Sequence, residues 1–193
     1  MKNLINYNQS SLDKKQIFLL GNEQLLQKKK VGIFVSRAIP LNIIIPAEKL
    51  ILTIAELPNI FISGWHSPFE RRILKKLLLG EKEVIFFTPK GIKNQSIYSY
   101  LKKPLNNGKL LIISLFLDKH EITLKNSIKR NEMITKMAEH NLFVFISKSG
   151  NLDKMFSKLS KQKKPLILNH STNSYFLHKG NAIDIDNFRE ILL

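Results

Sequence analysis

The stretch from Asn59 to Gly91 constrains the fold of this chain most, because each boundary within it is marked. Ile60, Phe61 and Ile62 form an apolar run of β-branched and aromatic residues, closed by Ser63-Gly64. Ser67-Pro68-Phe69-Glu70 then opens a helix, with Ser67 as N-cap, Pro68 at the first helical position and Glu70 reaching back as a capping box. Phe69, Ile73, Leu74, Leu77 and Leu78 recur at helical spacing as a buried stripe, and Arg71, Arg72, Lys75 and Lys76 take the other side. Gly80 stops the helix, and Val84 to Thr88 is a continuous apolar strand ending at Pro89-Lys90-Gly91. Two buried strands joined by a short crossover helix make a parallel βαβ unit. Such sheets place their sites where strands end at the carboxyl edge. Here that means Ser63-Gly64-Trp65-His66 and Thr88-Pro89-Lys90-Gly91.

The same alternation continues on both sides. Residues 1–15 are polar and read as a flexible basic arm, and residues 16–193 as one domain. Gln16 to Leu20 is a strand, Glu23 to Gln27 one helical turn, Val31 to Val35 a buried strand ending at Ser36-Arg37, and Ala47 to Leu57 a crossover helix. Asn94 caps a brief helix carrying Ile97, Tyr98 and Leu101, and Pro104 with Asn106-Asn107-Gly108 makes a turn. Leu110 to Leu115 is a strand, 118–127 a loop, Ile128 to His140 a helix and Leu142 to Ile146 a strand. A helix from the Ser147–Asn151 segment to about Lys163 and a last strand, Pro165 to Asn169, follow, and an acidic segment (Asp184, Asp186, Glu190) closes the chain. The pattern predicts an α/β fold: a Rossmann-like, doubly wound, mostly parallel sheet in three α/β/α layers.

Charge narrows the partners. Among 193 residues, 31 Lys and Arg stand against 15 Asp and Glu, a formal net charge of +16, which makes nucleic acid the first expected partner and an anionic membrane surface the second. There is no cysteine, which excludes disulfides and thiolate chemistry, and His66, His120, His140, His170 and His178 show no metal-ligand spacing. No metal and no cofactor are expected. The polar start Met1-Lys2-Asn3 and the short apolar runs predict a cytoplasmic protein with neither signal peptide nor membrane span.

Four loops, Ser36-Arg37, Ser63-Gly64, Lys90-Gly91 and Ser147-Lys148-Ser149-Gly150, are predicted to converge on one sheet edge. Small residues there let backbone N–H groups face an anion, and Arg37, Lys90 and Lys148 add charge, which favours phosphate. Trp65 either packs in the core or, beside His66, offers a stacking surface to a base. Arg130-Asn131 either form a solvated helix face or hold a phosphate. Glu70 is close to the edge, but its spacing gives it the capping role. No G-x-G-x-x-G, P-loop or G-x-S-x-G motif occurs, so no standard dinucleotide, nucleoside-triphosphate or hydrolase site is supported.

A collinear series then resembles the Rossmann-like core of the DNA-processing protein A (Smf) family. It runs through Leu19-Leu20-Gly21-Asn22, Val31 to Arg37, Ile62-Ser63-Gly64, Val84 to Lys90, Arg130 to Ile134, Leu142 to Gly150 and Asn173 to Leu177. The resemblance implies a protein that binds single-stranded DNA without a cofactor, self-associates, and in transformation loads a recombinase. Departures are clear: Val35 replaces the glycine of the family's G-[ST]-R, and Ser63 to Glu70 lacks its second glycine and carries Glu for Asp. The small flanking helical domains of longer members are missing, which implies a compact, divergent member. The P-G-G-x-G-T-x-x-E motif of the related "lonely guy" enzymes is also missing.

Together these readings predict a non-catalytic binder of single-stranded nucleic acid. Ser36, Arg37, Ser63, Gly64, Lys90, Arg130, Asn131, Lys148, Ser149 and Gly150 would form the site, extended by Arg71, Arg72 and Lys75, with Trp65 and His66 reading a base. The rival is a binder or hydrolase of a nucleotide-derived small molecule at the same loops. A third reading is an interaction module whose basic face docks an acidic protein.

Overall fold

The computed structural model describes residues 7–12, 15–94, 97–119, 121–179 and 182–185. Its strands are β1 (Asn8–Leu12), β2 (Lys15–Gly21), β3 (Lys30–Val35), β4 (Ile60–Ser63), β5 (Val84–Thr88), β6 (Leu110–Ser114), β7 (His140–Phe145), β8 (Leu166–Ile167) and β9 (Ile183–Asp184). Its α-helices are α1 (Leu41–Ile54), α2 (Pro68–Leu79), α3 (Ser99–Asn106), α4 (Leu124–Met137), α5 (Asn151–Leu159) and α6 (Ser174–Lys179). The described strands form one sheet in the order β1-β2-β6-β5-β4-β3-β7-β8-β9, parallel except where β2 pairs with β1 and β6. The chain winds from β3 outward through β4, β5 and β6, then returns to the other side of β3 with β7. The order therefore reverses between β3 and β7, where doubly wound sheets open a crevice.

Strand alternation builds the layers. Val31, Ile33 and Val35 face α1, α2 and α3, together with Val84, Phe86, Leu110 and Ile112. Phe34, Ile85, Phe87, Leu111 and Ile113 face α4, α5 and α6 on the opposite side. The expected three-layer, mostly parallel fold is what the chain adopts. No helix among the described residues is long and apolar enough to cross a membrane.

Several boundaries differ from the sequence reading. Residues 8–12, expected in a loose arm, form β1 because backbone pairing with β2 orders a polar segment that has no apolar period of its own. Residues 1–6 and 13–14 of that arm, His120, and Asp186 and Glu190 lie outside the described residues. Helix α1 starts at Leu41, not Ala47, and carries Pro46 inside it. A proline within a helix costs about 3 kcal/mol. Here Ile43, Ala47, Ile51 and Ile54 share one buried stripe, whose packing outweighs that cost. Helix α3 likewise runs through Pro104, with Leu101 and Pro104 buried. Helix α4 begins within the expected loop because the Thr123 hydroxyl caps it, accepting the Asn126 N–H at 3.1 Å. Helix α5 ends at Leu159, and β9 adds a strand beyond the one expected to be last.

Candidate nucleic-acid interface

Parallel pairing brings the loops after β3, β4, β5 and β7 to one edge. At the crevice, the Ser36 N–H donates to the Phe145 carbonyl at 2.9 Å and the Ser36 hydroxyl accepts the Ser147 N–H at 2.9 Å. Ser36 thus ties the loop after β3 to the loop after β7. Arg37, the next residue, is exposed.

The loop after β4 is fixed from beneath by Glu70. One carboxylate oxygen accepts the N–H groups of His66 and Ser67 at 3.1 and 2.7 Å, and the other lies 3.0 Å from the buried Ser63 hydroxyl. The Ser67 hydroxyl accepts the Glu70 N–H, completing the expected capping box. Trp65 turns the chain at φ 50°, a left-handed conformation that costs a non-glycine residue of order 1–3 kcal/mol. Its ring is 1% exposed, and its indole N–H donates to the Ile85 carbonyl at 2.9 Å. The stacking role therefore fails for Trp65, whose ring belongs to the core.

Against this loop lies Arg130 of α4. A Cβ added to Gly64 would stand 2.0 Å from Arg130 Nη1, so the guanidinium packs directly on the glycine. Arg130 is 7% exposed, its Nε donates to Asn131 Oδ1 at 2.9 Å, and its buried Nη1 meets no acceptor among the described residues. Burial pulls its pKa down to about 10, opposed by the Glu70 carboxylate, so it remains a cation at neutral pH. Beside it, His66 Nε2 is likewise buried without a partner. Burial, helped by the charges of Arg130, Arg71 and Arg37, lowers the His66 pKa to about 4. The edge thus gathers three arginines around a neutral imidazole, over a glycine floor.

The remaining expected residues divide. Lys90 is half-buried at the end of β5, where its N–H donates to the Thr88 hydroxyl and its carbonyl accepts the Ser114 hydroxyl. The loop after β7 does not offer the amides expected of it. Ser147 N–H goes to Ser36, Ser149 N–H to Asp153 at 2.8 Å and Gly150 N–H to the Ser147 carbonyl, so the carboxylate of α5 fills the place foreseen for an anion. Lys148 lies 4.4 Å from the Tyr175 ring centroid. Arg72 is paired with Glu48 at 2.6 Å, whereas Arg71 and Lys75 meet no carboxylate among the described residues. Asn173, missed as a structural residue, is buried and donates to the carbonyls of Val144 and Leu168, clamping the ends of β7 and β8.

The depressed His66 pKa has a consequence with a definite sign. An unfolded histidine titrates near 6.5, so between about pH 6.5 and 4 the unfolded chain takes up a proton that the native chain refuses. Stability is complete above that window and falls as pH drops through it. At pH 5 the expected loss is roughly 1–2 kcal/mol, discounted for solvent screening of a half-buried ring. Burial also lowers the His140 pKa, so comparing the parent with His66→Gln isolates the contribution. The variant should lose less stability between pH 7 and pH 5, and the His66 ring should titrate near 4 by NMR. A midpoint near 6.5 would contradict this account of the site.

The fold and edge together define a Rossmann-like, doubly wound α/β protein with an arginine-rich carboxyl edge. Among solved structures, DNA processing protein A from Helicobacter pylori, in a structure concerned with its single-stranded DNA binding mode, superposes with a TM-score of 0.78 and 19% identity, covering 100% of this chain and 96% of that one. DNA processing protein A from Streptococcus pneumoniae superposes with a TM-score of 0.71 and 15% identity, covering 86% of this chain and 62% of that one. The chain has a DNA processing protein A-like fold, as the collinear series implied. At the level of sequence, no family model and no curated protein matches it.

Proposed function

We propose that this chain binds single-stranded DNA at the carboxyl edge of its sheet without chemically altering it. The observation that carries the reading is the buried Arg130 guanidinium, charged and lacking an acceptor on Nη1, with Arg37 and Arg71 acting on the same neighbouring imidazole. A buried unpaired donor on a charged group is costly, by about 1–3 kcal/mol or more, and an anionic ligand offsets that cost. The fold likeness to a protein whose single-stranded DNA binding has been studied supports the same ligand class. The non-catalytic reading rests on the groups at the edge. Glu70 is engaged by two backbone N–H groups and lies beside the Ser63 hydroxyl, and a histidine with a pKa of about 4 is a weak base at neutral pH. Three concavities, of about 770, 560 and 660 Å³, lie along the helices, and none of the three is lined by Arg37, His66 or Arg130.

The process served is DNA uptake, processing or recombination in the cytoplasm. Self-association and delivery of the strand to a recombinase follow from the family resemblance alone. A fluorescence-anisotropy titration with single-stranded DNA, double-stranded DNA and mononucleotides tests the reading. Single strands should bind most tightly and mononucleotides most weakly. Tight mononucleotide binding would instead favour a small-molecule site.

A further inference from the structure

Beyond the sheet edge, the solvent face of α2 meets the start of α3 in a shallow concavity of about 660 Å³, lined by Pro68, Arg71, Arg72, Lys75, Lys76 and the rings of Tyr98 and Tyr100. The two rings are stacked, with centroids 5.7 Å apart and planes within 13°. Tyr98 is 55% exposed, and Lys75 Nζ lies 5.2 Å from the Tyr100 centroid. A stacked, solvent-facing aromatic pair with a cation on it is what a nucleobase recognises through its π-face.

The charges are unequal. Arg72 and Lys76 both pair with Glu48 of α1, which offsets part of their charge. Arg71 and Lys75 have no such partner among the described residues and lie one helical turn apart, about 6 Å along the axis. Arg71 also links the two regions, since its charge acts on both His66 at the sheet edge and Tyr100 in the concavity. Cationic surface thus runs from Arg37, beside the buried Arg130, through Arg71 to Lys75 and the tyrosines. An acidic peptide would use the cations without needing the rings.

We infer that Tyr98 and Tyr100 form a second nucleotide-contacting station, on which bases of a single strand leaving the sheet edge stack while Arg71 and Lys75 hold its phosphates. The inference rests on the proposed binding of single-stranded DNA at the edge. It adds that the footprint continues down α2, so a longer strand gains affinity from the tyrosines.

Anisotropy titrations with oligo-dT of about 5 and about 16 nucleotides test it, within the span that single-strand binding surfaces cover. The parent should bind the long strand more tightly. Tyr98→Ala/Tyr100→Ala should bring the long strand roughly tenfold or more down, toward the short one, while Tyr98→Phe/Tyr100→Phe retains the difference. Arg37→Ala should weaken both lengths. Tyr98→Trp adds an exposed fluorophore against the buried Trp65, and the long strand alone should quench its emission. Unchanged long-strand affinity in the alanine pair, or unchanged emission from the Tyr98→Trp variant at saturation with the long strand, would overturn the inference. So would an alanine pair that alters only the oligomeric state in sedimentation, which would make this face a contact for a second copy. If the parent binds neither strand, the edge reading fails first and this one with it.

Discussion

Replacing Arg130 with methionine is expected to remove most single-stranded DNA binding while leaving the fold at least as stable as the parent. The two effects separate because Arg130 is a buried cation incompletely paired by the protein. A charged group removed from water is costly unless its donors are met, and an apolar side chain of similar length relieves that cost. The melting temperature should therefore hold or rise, despite loss of the Nε bond to Asn131. For the ligand the same change deletes a charge-assisted contact of about 1.5–3 kcal/mol, roughly a ten- to hundredfold loss of affinity. Gly64→Ala should reach a similar loss by another route, because its Cβ would occupy space 2.0 Å from Nη1 and drive the guanidinium aside. Calorimetry and anisotropy on the same preparations check both parts. Parent-like affinity in Arg130→Met would move the site away from this edge.

Trp65→Ala is expected to show the opposite pattern, a large loss of stability with binding retained in the folded fraction. The ring is buried against the α1–α2–α3 side of the sheet, and its N–H meets the Ile85 carbonyl. Removing it opens a cavity and orphans a buried acceptor, together costing about 3–5 kcal/mol. For a chain of this size that lowers the melting temperature by roughly 6–20 °C. Thermal unfolding followed by circular dichroism measures the drop. A parent-like melting temperature with lost binding would return Trp65 to the base-stacking role that its burial argues against.

The central strands β3 to β7 were legible because each is a short apolar run, and α2 because Ser67, Pro68 and Glu70 mark its start, whereas β1 and β9 have no apolar period to mark them. The beginnings of α1 and α4 were not. Pro46 reads as a boundary until the buried stripe from Ile43 to Ile54 is seen, and Thr123 opens a helix whose first turn has no apolar period. At the site, sequence could bring Arg37, Gly64 and His66 to the same edge through strand order, but leaves Arg130 open between a solvated helix face and a phosphate contact. It could not say that Trp65 turns inward, because position after a strand does not fix a ring's direction. Nor could it say that Asp153 takes the amide of Ser149, since that contact depends on how the loop folds over α5. Tyr98 and Tyr100 were hidden for a related reason: they gain meaning only when α3 is laid beside α2.

The central claim is that the carboxyl edge binds a polyanionic strand, and the salt dependence of anisotropy titrations on the parent and on Arg37→Ala tests it most directly. Each phosphate neutralised on a single strand contributes roughly −0.7 to the slope of log affinity against log salt. About five contacts should give the parent a slope near −3.5, and Arg37→Ala should weaken binding of all sequences alike and lose about one contact from that slope. A flat salt response, or an unchanged slope and affinity in Arg37→Ala, would contradict the account.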